Sequence, residues 1–162
     1  MLGILLLFYY LMEIIVVSLL LHLKLSQAIN LISNYSFESP ILPNYNYVGV
    51  ATGWSGANFD LFHYDNGLGF GQHIDLQSGP GLNGYIEQNV TILNEGLCSL
   101  SFYQLAISTS FNSYVMEVRW NGNILSTQMA NTTSPTLQTL TLCGLPGINN
   151  LKFAEIGDDT DS

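Results

Sequence analysis

The stretch Tyr85-Ile86-Glu87-Gln88-Asn89-Val90-Thr91-Ile92 alternates between two kinds of side chain. Its two isoleucines and its valine share one side of an extended chain, whereas Glu87, Asn89 and Thr91 share the other. One apolar face and one polar face at a period of two is the pattern of a half-buried antiparallel strand. This stretch therefore predicts a β-strand that covers a hydrophobic core.

The same alternation returns along the chain after residue 30, in Ser99–Phe102, Tyr114–Trp120 and Thr139–Leu142. Asn121-Gly122 follows the second of these segments and is the strongest short signal for a hairpin, because a type I′ turn requires positive φ at both central residues. No segment after residue 30 has a convincing helical period. The pattern predicts an all-β, antiparallel β-sandwich.

Length and charge limit what this chain can be. It has 162 residues, which fits one domain of ordinary size, and only 9% of them are charged. There are 3 Lys and Arg residues against 12 Asp and Glu residues, for a net charge of −9. This balance excludes a coiled coil, a highly charged disordered chain and a basic nucleic-acid binder, because phosphate backbones would be repelled.

The first 28 residues indicate export. Met1–Leu23 is almost entirely apolar, and Ser26-Gln27-Ala28 has the small residues that signal peptidase accepts, so we expect cleavage after Ala28. The predicted organisation is a helical signal peptide over 1–28 and a single secreted or cell-surface domain over 29–162. The alternative is an uncleaved membrane anchor formed by residues 2–23, which are long enough to span a bilayer, although Glu13 disfavours a resident helix.

Two further features agree with export. Asn34, Asn89 and Asn131 each begin an Asn-x-Ser/Thr triplet, which is the acceptor sequence for N-glycosylation. Cys98 and Cys143 are the only cysteines, and a pair in an oxidising compartment is expected to form a disulfide. The alternative is two separate buried thiols.

Short motifs occur in a fixed order along the rest of the chain: Asn34-Tyr35-Ser36-Phe37-Glu38, Gly53-Trp54, Gly84–Gln88, Gly96–Phe102, Trp120-Asn121-Gly122 and Asn150–Phe153. This ordered series resembles the galactose-binding-domain-like jelly rolls, a superfamily that includes many carbohydrate-binding modules and secreted cell-wall proteins. The resemblance implies a jelly-roll sandwich over residues 29–162, with the first motif as its opening strand.

The resemblance also implies a last strand that returns beside the first one. No segment of this sequence supplies it, because Leu151–Gly157 is followed only by the acidic stretch Asp158–Ser162. We therefore expect a fragment that lacks its closing strand and has an open sheet edge near Leu31–Phe37. The alternative is a complete protein that pairs this edge with another chain.

Sugar-binding sites combine exposed aromatic rings with a few fixed polar groups. The candidate ligand-binding residues chosen on this basis are Trp54, His63, Tyr64, Tyr103 and Arg119. The alternative for Trp54 is a loop residue that packs on the core, since tryptophan is highly buried on average.

The superfamily resemblance implies a structural calcium ion beside the opening strand, with Glu38 as a ligand. Asp158, Asp159 and Asp161 could add some of the roughly 6–8 oxygen ligands that calcium needs. The alternative is that these aspartates form a solvated acidic tail. No other cofactor is expected.

Catalytic motifs are weak. His63-Tyr64-Asp65 and His73-Ile74-Asp75 each place a His and an Asp on one face of a strand, but no third group is fixed by spacing. Gly79–Gly84 fits GxGxxG, yet a strand follows it where a dinucleotide loop requires a helix. Paired glycosidase carboxylates cannot be identified from one sequence, so a hydrolase is the third choice.

The sequence therefore predicts a non-catalytic extracellular module that binds carbohydrate. The alternative is a spacer or adhesion domain of a larger cell-surface protein, which binds protein rather than glycan. Contact with a membrane is expected only if the leader is not cut, and nucleic acid is not an expected partner.

Overall fold

The computed structural model describes residues 30–44, 46–63, 71–76, 83–105, 115–129 and 134–157. The leader, Tyr64, Asn131 and the acidic stretch from Asp158 lie outside these residues. Within the described ranges the chain forms ten strands and no helix, so no helix there is long and apolar enough to cross a membrane. The strands are β1 (Asn46–Val48), β2 (Ser55–Ala57), β3 (Asp60–His63), β4 (Gln72–Asp75), β5 (Tyr85–Ile92), β6 (Gly96–Gln104), β7 (Val115–Trp120), β8 (Asn123–Met129), β9 (Thr136–Gly144) and β10 (Gly147–Glu155).

Every paired strand runs antiparallel to its neighbour. One sheet has five strands in the order β2-β5-β10-β7-β8, a second has three in the order β1-β3-β4, and β6 pairs with β9 alone. The alternating segment Tyr85–Ile92 is β5, and β10 pairs with it over eight residues. The prediction of an all-β antiparallel sandwich is confirmed.

One hydrophobic core lies between the sheets. The five-stranded sheet contributes Ile86, Val90 and Ile92 from β5, and all three are buried, as the alternation predicts. The buried side chains that pack with them come from all three sheets and the adjoining loops: Leu42, Ala51, Phe59, Leu61, Leu100, Val118, Trp120, Leu142, Leu151 and Phe153. Burial of these apolar side chains is the main force that holds the layers together.

The turn between β7 and β8 has the predicted geometry. Asn121 has φ 51° and Gly122 has φ 79°, which are the positive values that a type I′ turn requires. The Asn121 side chain also ties the turn to β10, because its Nδ2 donates to Asn149 Oδ1 at 2.9 Å and its Oδ1 accepts from Asn150 N at 2.8 Å.

The predicted opening strand is wrong. Residues 33–36 form a turn instead, and Asn34 and Phe37 have positive φ values of 46° and 58°. The Asn34 side chain explains the turn, because its Oδ1 accepts from Ser39 N and its Nδ2 donates to Ser39 O. Local side-chain bonds of this kind compete with strand pairing. Leu31–Phe37 is therefore not the sheet edge that the sequence predicts.

The predicted disulfide is also wrong, since Cys98 and Cys143 are both free. Cys98 lies opposite Leu142, whereas Cys143 lies opposite Leu97. Cross-strand partners share a face and adjacent residues alternate, so Cys98 points toward the core with Leu142 and Cys143 points outward with Leu97. Thiols on opposite faces of one ladder cannot meet the geometry of a disulfide.

Two buried glutamines hold the turn segment 33–42 against the sheets. Gln88 on β5 accepts from Ser33 N at 2.7 Å and donates to Ser33 O at 3.0 Å and to Gly53 O at 2.7 Å. Gln72 on β4 accepts from Leu42 N and donates to the carbonyls of Phe37 and Pro40. These side chains satisfy backbone groups that would be paired in a ladder if the segment were a strand.

Replacing Gln88 with Ala should lower the free energy of unfolding by about 2–4 kcal/mol, because it leaves partly buried backbone groups without partners. Urea unfolding followed by tryptophan fluorescence measures the change. The control is Gln128→Ala, because Gln128 on β8 makes one side-chain bond, to Ser126. Equal effects of the two substitutions would contradict this account.

Replacing Gly122 with Ala should lower the free energy of unfolding by about 1 kcal/mol, because φ at this position is positive. Gly96→Ala is the matched control. A Cβ at either position would meet nothing within 4 Å, and only Gly122 has positive φ. The difference between the two variants in the free energy of unfolding therefore measures the cost of placing a side chain at a residue with positive φ. A difference near zero would contradict this prediction.

Candidate functional site

The outer face of the three-stranded sheet carries three aromatic side chains in one row. Tyr47 on β1 lies opposite Phe62 on β3, and Phe62 lies opposite His73 on β4. The adjacent row contains Leu61, which is fully buried in the core. Because successive residues of a strand point to opposite faces, the row of Tyr47, Phe62 and His73 points away from the core. We call these three residues the aromatic row.

The members of the row differ in exposure. The Tyr47 side chain is 66% exposed, whereas Phe62 and His73 are half-buried. The rings of Phe62 and His73 meet edge to face, with their centroids 5.4 Å apart and their planes at 84°. This contact holds two of the rings in place while Tyr47 presents a ring to solvent. Such a surface can stack on the apolar face of a ring-shaped ligand.

Two carboxylates border the row. Asp60 on β3 lies directly opposite Asp75 on β4. Each is two residues from a member of the row, Phe62 or His73, and therefore shares the outer face with it. Ionised carboxylates only accept hydrogen bonds, so this aspartate pair is suited to hydroxyl or ammonium donors.

The basic residues lie elsewhere. Arg119 and Lys152 are the only Lys and Arg residues after the first 28 of the sequence. Both are on the five-stranded sheet, in register with each other, where Arg119 forms an ion pair with Glu117 and Lys152 Nζ lies 3.6 Å from the centre of the Tyr85 ring. The strands of the three-stranded sheet, which carry the aspartate pair, contain no Lys or Arg.

The imidazole of the row is held in its neutral form. Burial lowers the pKa of His73 below the ordinary 6.5, and the positive charge of a protonated His63 would lower it further. A backbone hydrogen bond with Gly71 and the negative charge of Asp75 act in the opposite direction, but burial dominates. A neutral imidazole can donate one hydrogen bond and accept another.

Trp54, the first of the predicted ligand residues, packs against the core. Its ring lies 5.5 Å from that of Phe37 and 6.3 Å from that of Phe153, centroid to centroid. Its Nε1 donates to Asn34 O at 3.4 Å. The alternative prediction for Trp54, a loop residue that packs on the core, is therefore the one that the structure shows.

The other predicted ligand residues lie on separate surfaces. His63 faces inward from β3 and donates from Nδ1 to Leu42 O at 2.6 Å, a bond that fixes its tautomer because a carbonyl only accepts. Tyr103 is 57% exposed on β6, opposite Leu137, and Arg119 is on the outer face of β7. Tyr64 lies outside the described residues. The structure does not bring the four described residues together.

The aromatic row is not predictable from the sequence alone. The spacing of His73 and Asp75 predicts that they share one face of a strand, and this is how they lie on β4. Their neighbours Tyr47, Phe62 and Asp60 come from other strands, and their position depends on the register of pairing. The alternation of Asp60-Leu61-Phe62 is the one local signal that could have suggested an outward Phe62.

Glu38 lies beside Gly71, where a Cβ atom would be 3.5 Å from Glu38 Oε1. No group of three or more His, Cys, Asp and Glu side chains that could hold a metal ion occurs in the described part of the chain. The aspartates that would complete a calcium site, Asp158, Asp159 and Asp161, lie outside that part. Calcium binding at Glu38 therefore stays a prediction.

The glycosylation triplets have different environments. The Nδ2 atom of Asn34 donates to both Ser39 O and Thr52 O, so attachment of a glycan to that nitrogen would disrupt bonds that shape the turn. Asn89 is exposed on the outer face of β5, as the alternation predicts. Asn131 lies outside the described residues. Glycosylation itself stays a prediction at all three positions.

Comparison with known proteins gives a fold. No family model matches the chain, and no curated protein matches it. Among solved structures, a family 35 carbohydrate-binding module from Clostridium thermocellum superposes with a TM-score of 0.51 at 21% sequence identity, over 65% of this chain and 82% of that one. The CBM35 from Paenibacillus barcinonensis gives 0.50 at 16%, over 66% and 84%. The chain shares the jelly-roll β-sandwich fold of these two structures. This confirms the fold that the ordered motifs predicted.

The lowered pKa of His73 should make the free energy of unfolding depend on pH. Its pKa is below 6.5 in the folded jelly roll and near 6.5 in the unfolded chain, so the unfolded chain takes up a proton first as the pH falls. The free energy of unfolding should therefore decrease as the pH is lowered through this window. His73→Asn removes the titrating group, and urea unfolding at several pH values should give a shallower slope for this variant than for the wild type. Identical slopes would contradict the assignment.

Proposed function

We propose that this protein is a non-catalytic carbohydrate-binding module that acts outside the cell. The observation that carries the proposal is the aromatic row with its aspartate pair, displayed on the outer face of the three-stranded sheet. The fold alone does not identify a function, because jelly rolls have many unrelated functions. The titles of the two structural neighbours, both carbohydrate-binding modules, agree with this proposal.

Binding would combine stacking with hydrogen bonds. The exposed Tyr47 ring packs on the C–H face of a pyranose, and half-buried Phe62 extends the apolar surface. Asp60 and Asp75 accept hydrogen bonds from the hydroxyl groups at the edge of the sugar ring. The ladder of β1, β3 and β4 fixes the spacing of these groups, so little conformational entropy is lost when a sugar binds.

Reversible binding suits this surface better than bond cleavage. Catalytic carboxylates act best in a site that excludes water, where each electrostatic interaction is strengthened. The row lies on a sheet face, and its outermost ring, Tyr47, is largely exposed. A hydrolase, the third choice, would require sugar-polymer turnover that survives purification and is lost in Glu38→Gln or Glu87→Gln.

Extracellular action is supported by the sequence. The apolar leader, the small residues before the expected cut after Ala28 and the three glycosylation triplets all favour export.

A role in binding protein is the second candidate, and a different surface favours it. The outer face of the β6–β9 ladder exposes Leu97, Tyr103 and Leu137, and no charged residue lies on these two strands. Exposed apolar side chains of this kind are common in protein interfaces. A spacer or adhesion domain would use this surface and leave the aromatic row without a ligand.

A glycan array followed by calorimetry tests the proposed function. Tyr47→Ala should weaken binding of the best glycan at least about tenfold, because it removes the exposed stacking surface. Tyr35→Ala is the matched control, since Tyr35 is 67% exposed, as Tyr47 is, but lies in the turn segment and is not a member of the row. It should bind as the wild type does, and circular dichroism should show that both variants are folded.

Each other outcome has a distinct meaning. Loss of binding in Tyr103→Ala but not in Tyr47→Ala would move the site to the β6–β9 face. An array without any bound glycan would overturn the proposal and favour the spacer or adhesion role.

A further inference from the structure

We infer that the folded, exported protein carries an N-linked glycan on Asn89 and none on Asn34, and that this glycan covers the outer face of the five-stranded sheet. The inference rests on the export that the proposed function includes, and it does not depend on sugar binding by the aromatic row. It is carried by the opposite hydrogen-bonding roles of the two asparagine side chains.

The side-chain nitrogen of Asn89 is available for modification. Asn89 is exposed on the outer face of β5, between the buried residues Gln88 and Val90. Its Oδ1 accepts from Asn150 Nδ2 at 3.3 Å, whereas its Nδ2 makes no hydrogen bond within the described part of the chain. The amide group is therefore held by its oxygen, and the nitrogen, which is the atom that receives a glycan, is left unbonded.

The surroundings of Asn89 leave space for a sugar. On one side of Asn89 lies β10, where Asn150 is its register partner. On the other side β2 pairs only with residues 85–87 of β5, so no described strand lies next to Asn89 there. Thr91, the third residue of the acceptor triplet, is exposed on the same face. A glycan attached here projects from the sheet and displaces no core side chain.

Asn34 uses its nitrogen in the opposite way. Its Nδ2 donates to Ser39 O at 2.8 Å and to Thr52 O at 3.0 Å, and its Oδ1 accepts from Ser39 N at 3.1 Å. An unmodified amide nitrogen has two hydrogens, and a glycosylated one has a single hydrogen. At least one of the two carbonyl groups would lose its partner, so the turn that residues 33–36 form requires an unmodified Asn34.

The modification is a substitution at the first sugar of the glycan. The secretory compartment supplies the donor, an oligosaccharide attached to a lipid diphosphate. Asn89 Nδ2 forms a bond to C1 of the first sugar, the bond between C1 and the phosphate oxygen breaks, and the lipid diphosphate leaves with that electron pair. Nδ2 releases one proton to solvent and keeps the other. Oδ1 takes no part, so the hydrogen bond from Asn150 is retained.

The glycan on Asn89 would lie close to Lys152. Asn150 is directly opposite Asn89, so Lys152, two residues further along β10, is its diagonal neighbour at about 7–8 Å on the same face. The Lys152 ammonium group lies over the Tyr85 ring, and Lys152 is the only lysine after residue 28. Its amine therefore reports whether the glycan covers this face.

Expression of the full chain in a yeast secretory host tests the inference. The exported protein is mapped by peptide mass spectrometry before and after N-glycans are removed with a peptide N-glycosidase. Thr91→Val removes the acceptor triplet of Asn89, and Ser36→Ala removes that of Asn34, while both asparagines remain. Thr91→Val should lose one glycan per chain, and Ser36→Ala should lose none. Both substituted residues are exposed, and circular dichroism should show that the variants are folded.

Labelling with an amine-reactive ester measures the coverage of the face. Modification of Lys152, followed by peptide mass, should be slower in the glycosylated wild type than in Thr91→Val. Enzymatic removal of the glycan from the wild type should raise the rate to that of Thr91→Val. Ser36→Ala should react as slowly as the wild type, because its Asn89 triplet is intact.

The outcomes separate this inference from the function on which it rests. Exported, folded protein with a glycan on Asn34, or without one on Asn89, overturns the inference and leaves the proposed function standing. Equal labelling rates of Lys152 with and without the glycan overturn its placement over the five-stranded sheet. A chain that is not exported overturns the extracellular part of the proposed function together with this inference, whereas an array without any bound glycan overturns sugar binding alone.

Discussion

The path of the chain into the sheets depends on the hydrogen bonds of two buried carboxamides, those of Gln88 and Gln72. The segment between Ser33 and Leu42 forms no strand, so its backbone groups have no ladder to join. Gln88 and Gln72 reach it from two different sheets and pair with those groups directly. A buried amide that satisfies a backbone in this way fixes the path of the chain, because each alternative path would leave polar groups unpaired.

The Gln72 hydrogen bonds also help to position the strands that carry the candidate site. Gln72 accepts from Leu42 N while His63, its cross-strand partner, donates to Leu42 O, so one peptide segment is held by both strands of the pair. Phe62 and His73 are the next residues along these strands and point to the other face. The hydrogen bonds of Gln72 and His63 on the inner face and the aromatic row on the outer face therefore share the backbone of β3 and β4. We expect a change that weakens these bonds to alter the spacing of the row.

The parts of the fold that were predictable are those set by local sequence. The period of two in β5 and the Asn121-Gly122 turn depend only on neighbouring residues, and both agree with the structure. The predicted opening strand is wrong because the Asn34 side chain closes a turn with Ser39. A resemblance between short motifs does not show whether such a local turn competes with the strand. The predicted disulfide is wrong because β6 and β9 pair in a register that places the two thiols on opposite faces of the ladder. The aromatic row depends in the same way on register, between strands of three and four residues that long connections separate.

Charge is distributed unevenly between two outer faces, and this has a further consequence for the whole molecule. Arg119 and Lys152 share the outer face of the five-stranded sheet with Glu87 and Glu117, so the charges there balance, whereas Asp60 and Asp75 lie on strands without Lys or Arg. A charged polymer surface exerts a torque on such a molecule before any contact is made. Close to a cationic wall the aspartate-bearing face turns inward and the aromatic row arrives already oriented. Close to an anionic wall the face that carries Asp60 and Asp75 is repelled, and the row points into the medium.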